Sequence, residues 1–110
     1  MEETKKLIQN FNEIEKQVRE SIEKSIIEKI GFDNYLQLSE TCIYIDEKID
    51  LYDDDYALIV TNIVVTEISV SSLGVIKILA TNSYEDEWSF TIDKLSTKKY
   101  IEIFENIINK

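Results

Sequence analysis

The chain has 110 residues but no histidine and no proline, one cysteine (Cys42), one arginine (Arg19) and two glycines (Gly31 and Gly74). Each shortage removes a class of chemistry. Without histidine there is no Ser-His-Asp or Cys-His catalysis, no His-ligated zinc and no imidazole pH switch. One cysteine makes neither an intrachain disulfide nor a Cys-based metal centre, and with no histidine to activate it Cys42 reads as a buried structural thiol. Two separated glycines do not build a phosphate-cradling loop. No apolar run approaches the ~18 residues of a membrane span. Met1-Glu2-Glu3-Thr4-Lys5-Lys6 opens acidic, unlike a signal peptide. These absences predict a cytoplasmic protein without membrane association.

What is present is ordinary for a globular domain: 44% hydrophobic and 31% charged residues. The length predicts one domain over 1–110. Residues 3–30 carry an apolar stripe, Leu7, Phe11, Ile14, Val18, Ile22, Ile26 and Ile30. Its first steps are 4-3-4, the heptad rhythm; its later steps are all four, the drift of a straight helix lying on a sheet. Gly31 stops this helix. Strands are predicted at about 41–46 with an alternative start near Leu36, 56–70 with a bend near Asn62, 75–82 and 87–92, because β-branched and aromatic residues dominate there between turn-formers. A second helix over about 96–109, capped by Asp93 or Ser96, has a stripe of Tyr100, Ile103 or Phe104, Ile107 and Ile108. The expected fold is α+β and two-layered: a four-stranded antiparallel meander flanked by a long N-terminal helix and a shorter C-terminal helix. In that arrangement Phe11, Val18 and Ile22 pack on the sheet with Phe104 and Ile107.

The net charge of −10 is uneven. Residues 1–30 carry net −1 and residues 94–110 net +2, while residues 31–93 carry thirteen acids against Lys48 and Lys77. The acids cluster. Asp46, Glu47, Asp50, Asp53, Asp54 and Asp55 fall between the first two predicted strands, and Glu85, Asp86 and Glu87 between the last two. The first and third connections of a meander leave one end of the sheet, so these nine carboxylates are expected to converge, with Lys48 as the only nearby base. Tyr52, Tyr56 and Tyr84 flank them, as large aromatics flank charge at interface hot spots. Such a surface disfavours nucleic acid and anionic lipid and suits a basic protein. Solvated acidic loops that merely keep a protein soluble look the same in sequence.

Two chemical readings compete. The aspartate run lacks the glycine and the alternation of a calcium loop, so neither a metal nor another cofactor is expected. Asp33 followed by Asp46-Glu47-Lys48 resembles the Asp…(Asp/Glu)-x-Lys signature of restriction-type nucleases, whose two carboxylates hold Mg²⁺ while the lysine steadies water. Glu3-Thr4-Lys5 fits acid-x-Lys equally well, and the region is the least basic of the chain.

The leading expectation is therefore a small acidic non-enzymatic protein that inhibits or sequesters a nucleic-acid-binding or nuclease partner. Phage anti-defence proteins, anti-CRISPR inhibitors and nuclease-toxin immunity proteins are of this kind, some of them nucleic-acid mimics. Nineteen isoleucines, and eleven lysines against one arginine, suggest an AT-rich genome; if it is a phage's, the compartment is the host cytoplasm. The alternative is a homodimeric scaffold or secretion-type chaperone binding an apolar client, and the third reading is a metal-dependent nuclease.

Overall fold

The computed structural model describes residues 1–38, 43–52 and 57–109. It begins with helix α1, Glu2–Ile30, which Gly31 ends at φ 87° by donating its N–H to the Ile27 carbonyl at 2.8 Å. Glycine meets a left-handed backbone without steric cost, as the sequence requires of a helix stop there. Among the described residues seven strands follow: β1 Asn34–Gln37, β2 Tyr44–Ile45, β3 Ile49–Tyr52, β4 Ala57–Val60, β5 Ile63–Val70, β6 Ile76–Thr81 and β7 Glu87–Thr91. A 3-10 turn over Ile92–Lys94 leads into α2, Thr97–Ile108, and Ser96 caps it, its Oγ accepting the Lys99 N–H at 3.4 Å.

The fold class is α+β, as the patterns predict. The main sheet runs β1-β5-β6-β7, all antiparallel, with β2 beside β1 on the same flank of β5. Thr66 interrupts the β5–β6 register, and the flank of β5 changes partner there: Leu38 N–H donates to the Thr66 carbonyl and Val65 N–H to the Ile43 carbonyl. The sheet therefore has four lanes, one of them shared by β1 and β2.

Two strand predictions need correction. The 56–70 strand is two strands. Asn62 sits at φ 58°, a left-handed conformation asparagine tolerates, and β4 leaves the main sheet to pair with β3 in a separate hairpin. The supposed loop from 46 to 55 consequently contains β3. The first strand, placed at 41–46, retains only Tyr44–Ile45 within the described residues, while the alternative start near Leu36 belongs to a separate strand, β1; Cys42 falls outside them.

One sheet face is buried beneath the helices. Ile63, Val65, Ile68, Val70, Ile78 and Phe90 meet Ile26, Tyr100, Ile103 and Ile107 in one apolar cluster, which Ile49 and Val60 of the hairpin extend. The other face exposes Tyr35, Tyr44, Lys77 and Ser89.

The prediction for Phe11 fails. Ile22 and Ile26 are buried and Val18 is half-buried, but every residue from 1 to 14 is exposed; Phe11 is 63% exposed, and so is Leu7. Twenty-nine helical residues span about 43 Å, against a longest molecular dimension of 50 Å. The sheet and α2 cover only the C-terminal half, and the other half projects as an arm. On α2, Ile107 is buried as expected, Phe104 is half-buried and Ile108 is exposed.

Candidate functional site

The register Tyr44↔Val64↔Thr81↔Glu87 brings the end of β2 and the β6–β7 turn to one end of the sheet. Asp46 and Glu47 leave β2 at that end, and Glu85, Asp86 and Glu87 lie at the turn. Asp50 is on β3, opposite Ile59, on the exposed side of the hairpin. Tyr52 ends β3, paired with Ala57. Asp53, Asp54, Asp55 and Tyr56 lie outside the described residues.

The acids differ in what they do. Glu47 is half-buried and its Oε1 accepts the Ser96 N–H at 2.9 Å. A carboxylate at this place meets the positive end of the α2 dipole and satisfies a donor just ahead of the helix. Asp46 pairs with Lys99, whose Nζ lies 3.2 Å from Oδ1. Lys99 is buried and also donates to the Tyr44 carbonyl at 2.7 Å and to Glu102 Oε2 at 2.9 Å. Burial pulls the Lys99 pKa down, but the bonds and charges of Glu102 and Asp46 outweigh it and leave it above the ordinary lysine value. The Lys99 ammonium, hydrogen-bonded to Asp46, holds that carboxyl below the usual aspartate range. Lys48 is thus not the only base beside the first cluster, because α2 brings Lys99. Sequence reasoning missed Lys99, since a lysine one residue before Tyr100 on an amphipathic helix reads as exposed.

The β6–β7 turn is built by Asn82. Its Oδ1 accepts the N–H groups of Tyr84 at 2.9 Å and Asp86 at 3.0 Å, and its Nδ2 donates to Asp86 Oδ2 at 3.2 Å. These bonds hold Glu85 at φ 67°, a conformation that costs an ordinary side chain of order 1 kcal/mol. Tyr84 projects from the turn, 83% exposed. Among the described residues no ion pair involves Asp50, Glu85, Asp86 or Glu87.

The chain's one arginine works inside the fold. Arg19 donates to the carbonyls of Leu95 at 2.8 Å and Asp93 at 3.3 Å, and its guanidinium lies 4.4 Å from the centroid of the Tyr100 ring. The Tyr100 hydroxyl donates to Glu23 Oε1 at 3.0 Å. Burial pushes its pKa up to about 12, a rise that Arg19 partly opposes.

The nuclease-like pattern is not assembled. Asp33 donates its N–H to the Val70 carbonyl at the far end of β5, whereas Ile45, just before Asp46, pairs with Ile63 at the near end. The length of β5 separates them, on the order of 20 Å, and Asp46 and Glu47 are engaged with α2. Among the described residues no cluster of three His, Cys, Asp or Glu residues has metal-site geometry, and no helix is long and apolar enough to cross a membrane. No protein-family model matches the chain, and neither a curated protein nor a solved structure matches it.

Proposed function

We propose that this protein is a non-enzymatic binding protein whose acidic sheet end receives a basic protein, in the manner of inhibitors that occupy a nucleic-acid groove. One observation carries the reading: Asp50, Glu85, Asp86 and Glu87 have no ion-pair partner among the described residues, on a chain segment of net −11. Concentrated like charge repels itself, and a partner of opposite sign relieves that repulsion. The exposed rings of Tyr44 and Tyr84 at the same sheet end add apolar contact area beside the charge. The anti-defence and nuclease-immunity classes are natural homes for such a surface, with carboxylates standing in for phosphates, and the cytoplasm is the compartment proposed for it.

The test is affinity capture from the native host lysate with wild type and with the triple variant Asp50→Lys, Glu85→Lys, Glu87→Lys. A basic partner is expected on the wild type, released by salt and by competing duplex DNA, and absent from the triple variant. Capture of the same protein by the charge-reversed variant at low salt overturns the proposal. A second reading, a dimeric scaffold for an apolar client, is favoured by a different surface, the exposed apolar face of α1 and α2.

A further inference from the structure

Leu7, Ile8, Phe11 and Ile14 are each more than half exposed along the arm of α1, and Ile101 and Ile108 are exposed on the neighbouring face of α2. Between the two helices, beside Ile14, Val18 and Phe104, lies an open groove of about 560 Å³. We propose that this face is occupied by a second copy of the chain. The α1 arm of each protomer lies in the α1–α2 groove of the other, making a two-fold bundle of four helices.

Four observations point to a second copy. The first is area. The six exposed side chains offer on the order of 100 Å² each, so roughly 600 Å² of apolar surface per copy. That is at the upper end for the largest patch on a monomer and most of the ~800 Å² per partner that a standard interface buries. The second is the rhythm of the stripe. The 4-3 spacing of Leu7, Phe11 and Ile14 falls on the exposed half of α1, and the uninterrupted steps of four from Val18 onward fall where the helix lies on the body. Heptad spacing is what a helix-to-helix seam requires.

The third is charge. Residues 1–30 are net −1 and residues 94–110 net +2, while residues 31–93 hold the imbalance. Two copies of a −10 chain therefore meet with least repulsion through their helices. An interfacial membrane helix wants a basic polar face instead, and α1 carries seven acids against six bases. The fourth is shape. A two-fold interface must be self-complementary, and this face contains both a projecting ridge and a groove.

Sedimentation of the purified full chain tests the proposal. Wild type is expected at twice the 12.9 kDa chain mass at tens of micromolar. Raising NaCl from about 0.05 to 0.5 M should tighten the dimer, because it screens repulsion between two acidic bodies. The same salt weakens capture of a basic partner, so the failure of one proposal is distinguishable from the failure of the other. Phe11→Lys and Ile108→Lys alter exposed residues and should leave unfolding cooperative while raising the dimer Kd by roughly 100-fold or more. A wild type that stays monomeric at about 100 µM, or a dimer indifferent to both substitutions, overturns the assignment.

Discussion

Leu7 and Phe11 on one half of α1 and Ile22 and Ile26 on the other belong to a single apolar stripe. Ile26 is 1% exposed and Phe11 is 63% exposed. Nothing in the residue types distinguishes them; the difference is what lies opposite. The C-terminal half faces the sheet and α2, and Arg19 ties it to the Asp93–Leu95 carbonyls, while the N-terminal half extends beyond both. The acids divide in the same way. Asp46 and Glu47 are bound by α2, whereas Asp50 and Glu87 have no cation beside them among the described residues. A like pattern in sequence therefore separates into parts that hold the fold together and parts left available to something outside it.

Substitutions across the two halves of α1 give the largest contrast. Ile26→Ala leaves a cavity in the core and should cost about 3–4 kcal/mol in denaturant unfolding. Phe11→Ala, measured at a concentration too low for association, should change stability by less than about 0.5 kcal/mol. Equal losses at the two positions would mean that the arm packs on its own body.

Lys99 sharpens the contrast among the charges. Lys99→Met keeps the volume but removes the donor to the Tyr44 carbonyl and leaves Glu102 and Asp46 without their cation. A loss of about 1–3 kcal/mol is expected, against a negligible change for Lys48→Met, whose side chain is exposed. A neutral Lys99→Met would remove α2 anchoring from the role of Asp46.

The smallest effect concerns Tyr100. Its phenol titrates near 10 when unfolded and near 12 when folded. Well below pH 10 it is neutral in both states and its contribution is intact. Between pH 10 and 12 the unfolded chain loses the proton first, so that contribution is lost as pH rises through the folded value. Tyr100→Phe should cost about 1 kcal/mol at pH 7 through the lost bond to Glu23. The gap between wild type and Tyr100→Phe should close above pH 10 and reverse toward pH 12, because a pKa rise from 10 to about 12 outweighs one hydrogen bond, as paired thermal melts will show.

The two helices, the α+β class, the helix stop at Gly31 and Ser96 as one of two cap candidates were legible because each depends on local sequence: apolar period, side-chain hydrogen bonding, or a backbone only glycine adopts readily. The break at Asn62 was legible as a bend but not as a change of sheet. Pairing partners are chosen by residues far apart in the chain, and β4 satisfies the same alternation in either sheet. The acidic clusters were legible as charge, and that Asp46 and Glu47 leave β2 at the sheet end that carries Glu85, Asp86 and Glu87 follows from strand order. That Glu47 accepts the Ser96 N–H and that Asp46 meets Lys99 was not legible, since the partners lie about fifty residues away.

The sequence by itself determined where the helices begin and stop, that the sheet segment carries the acidity, and which chemistries the missing residues forbid. Those properties are set by neighbours along the chain and by counts that folding does not change. Only the tertiary structure decided which half of the apolar stripe is covered and which carboxylates are tied to α2. Burial and ion pairing depend on what the fold brings opposite a side chain, and the body ends before the first helix does.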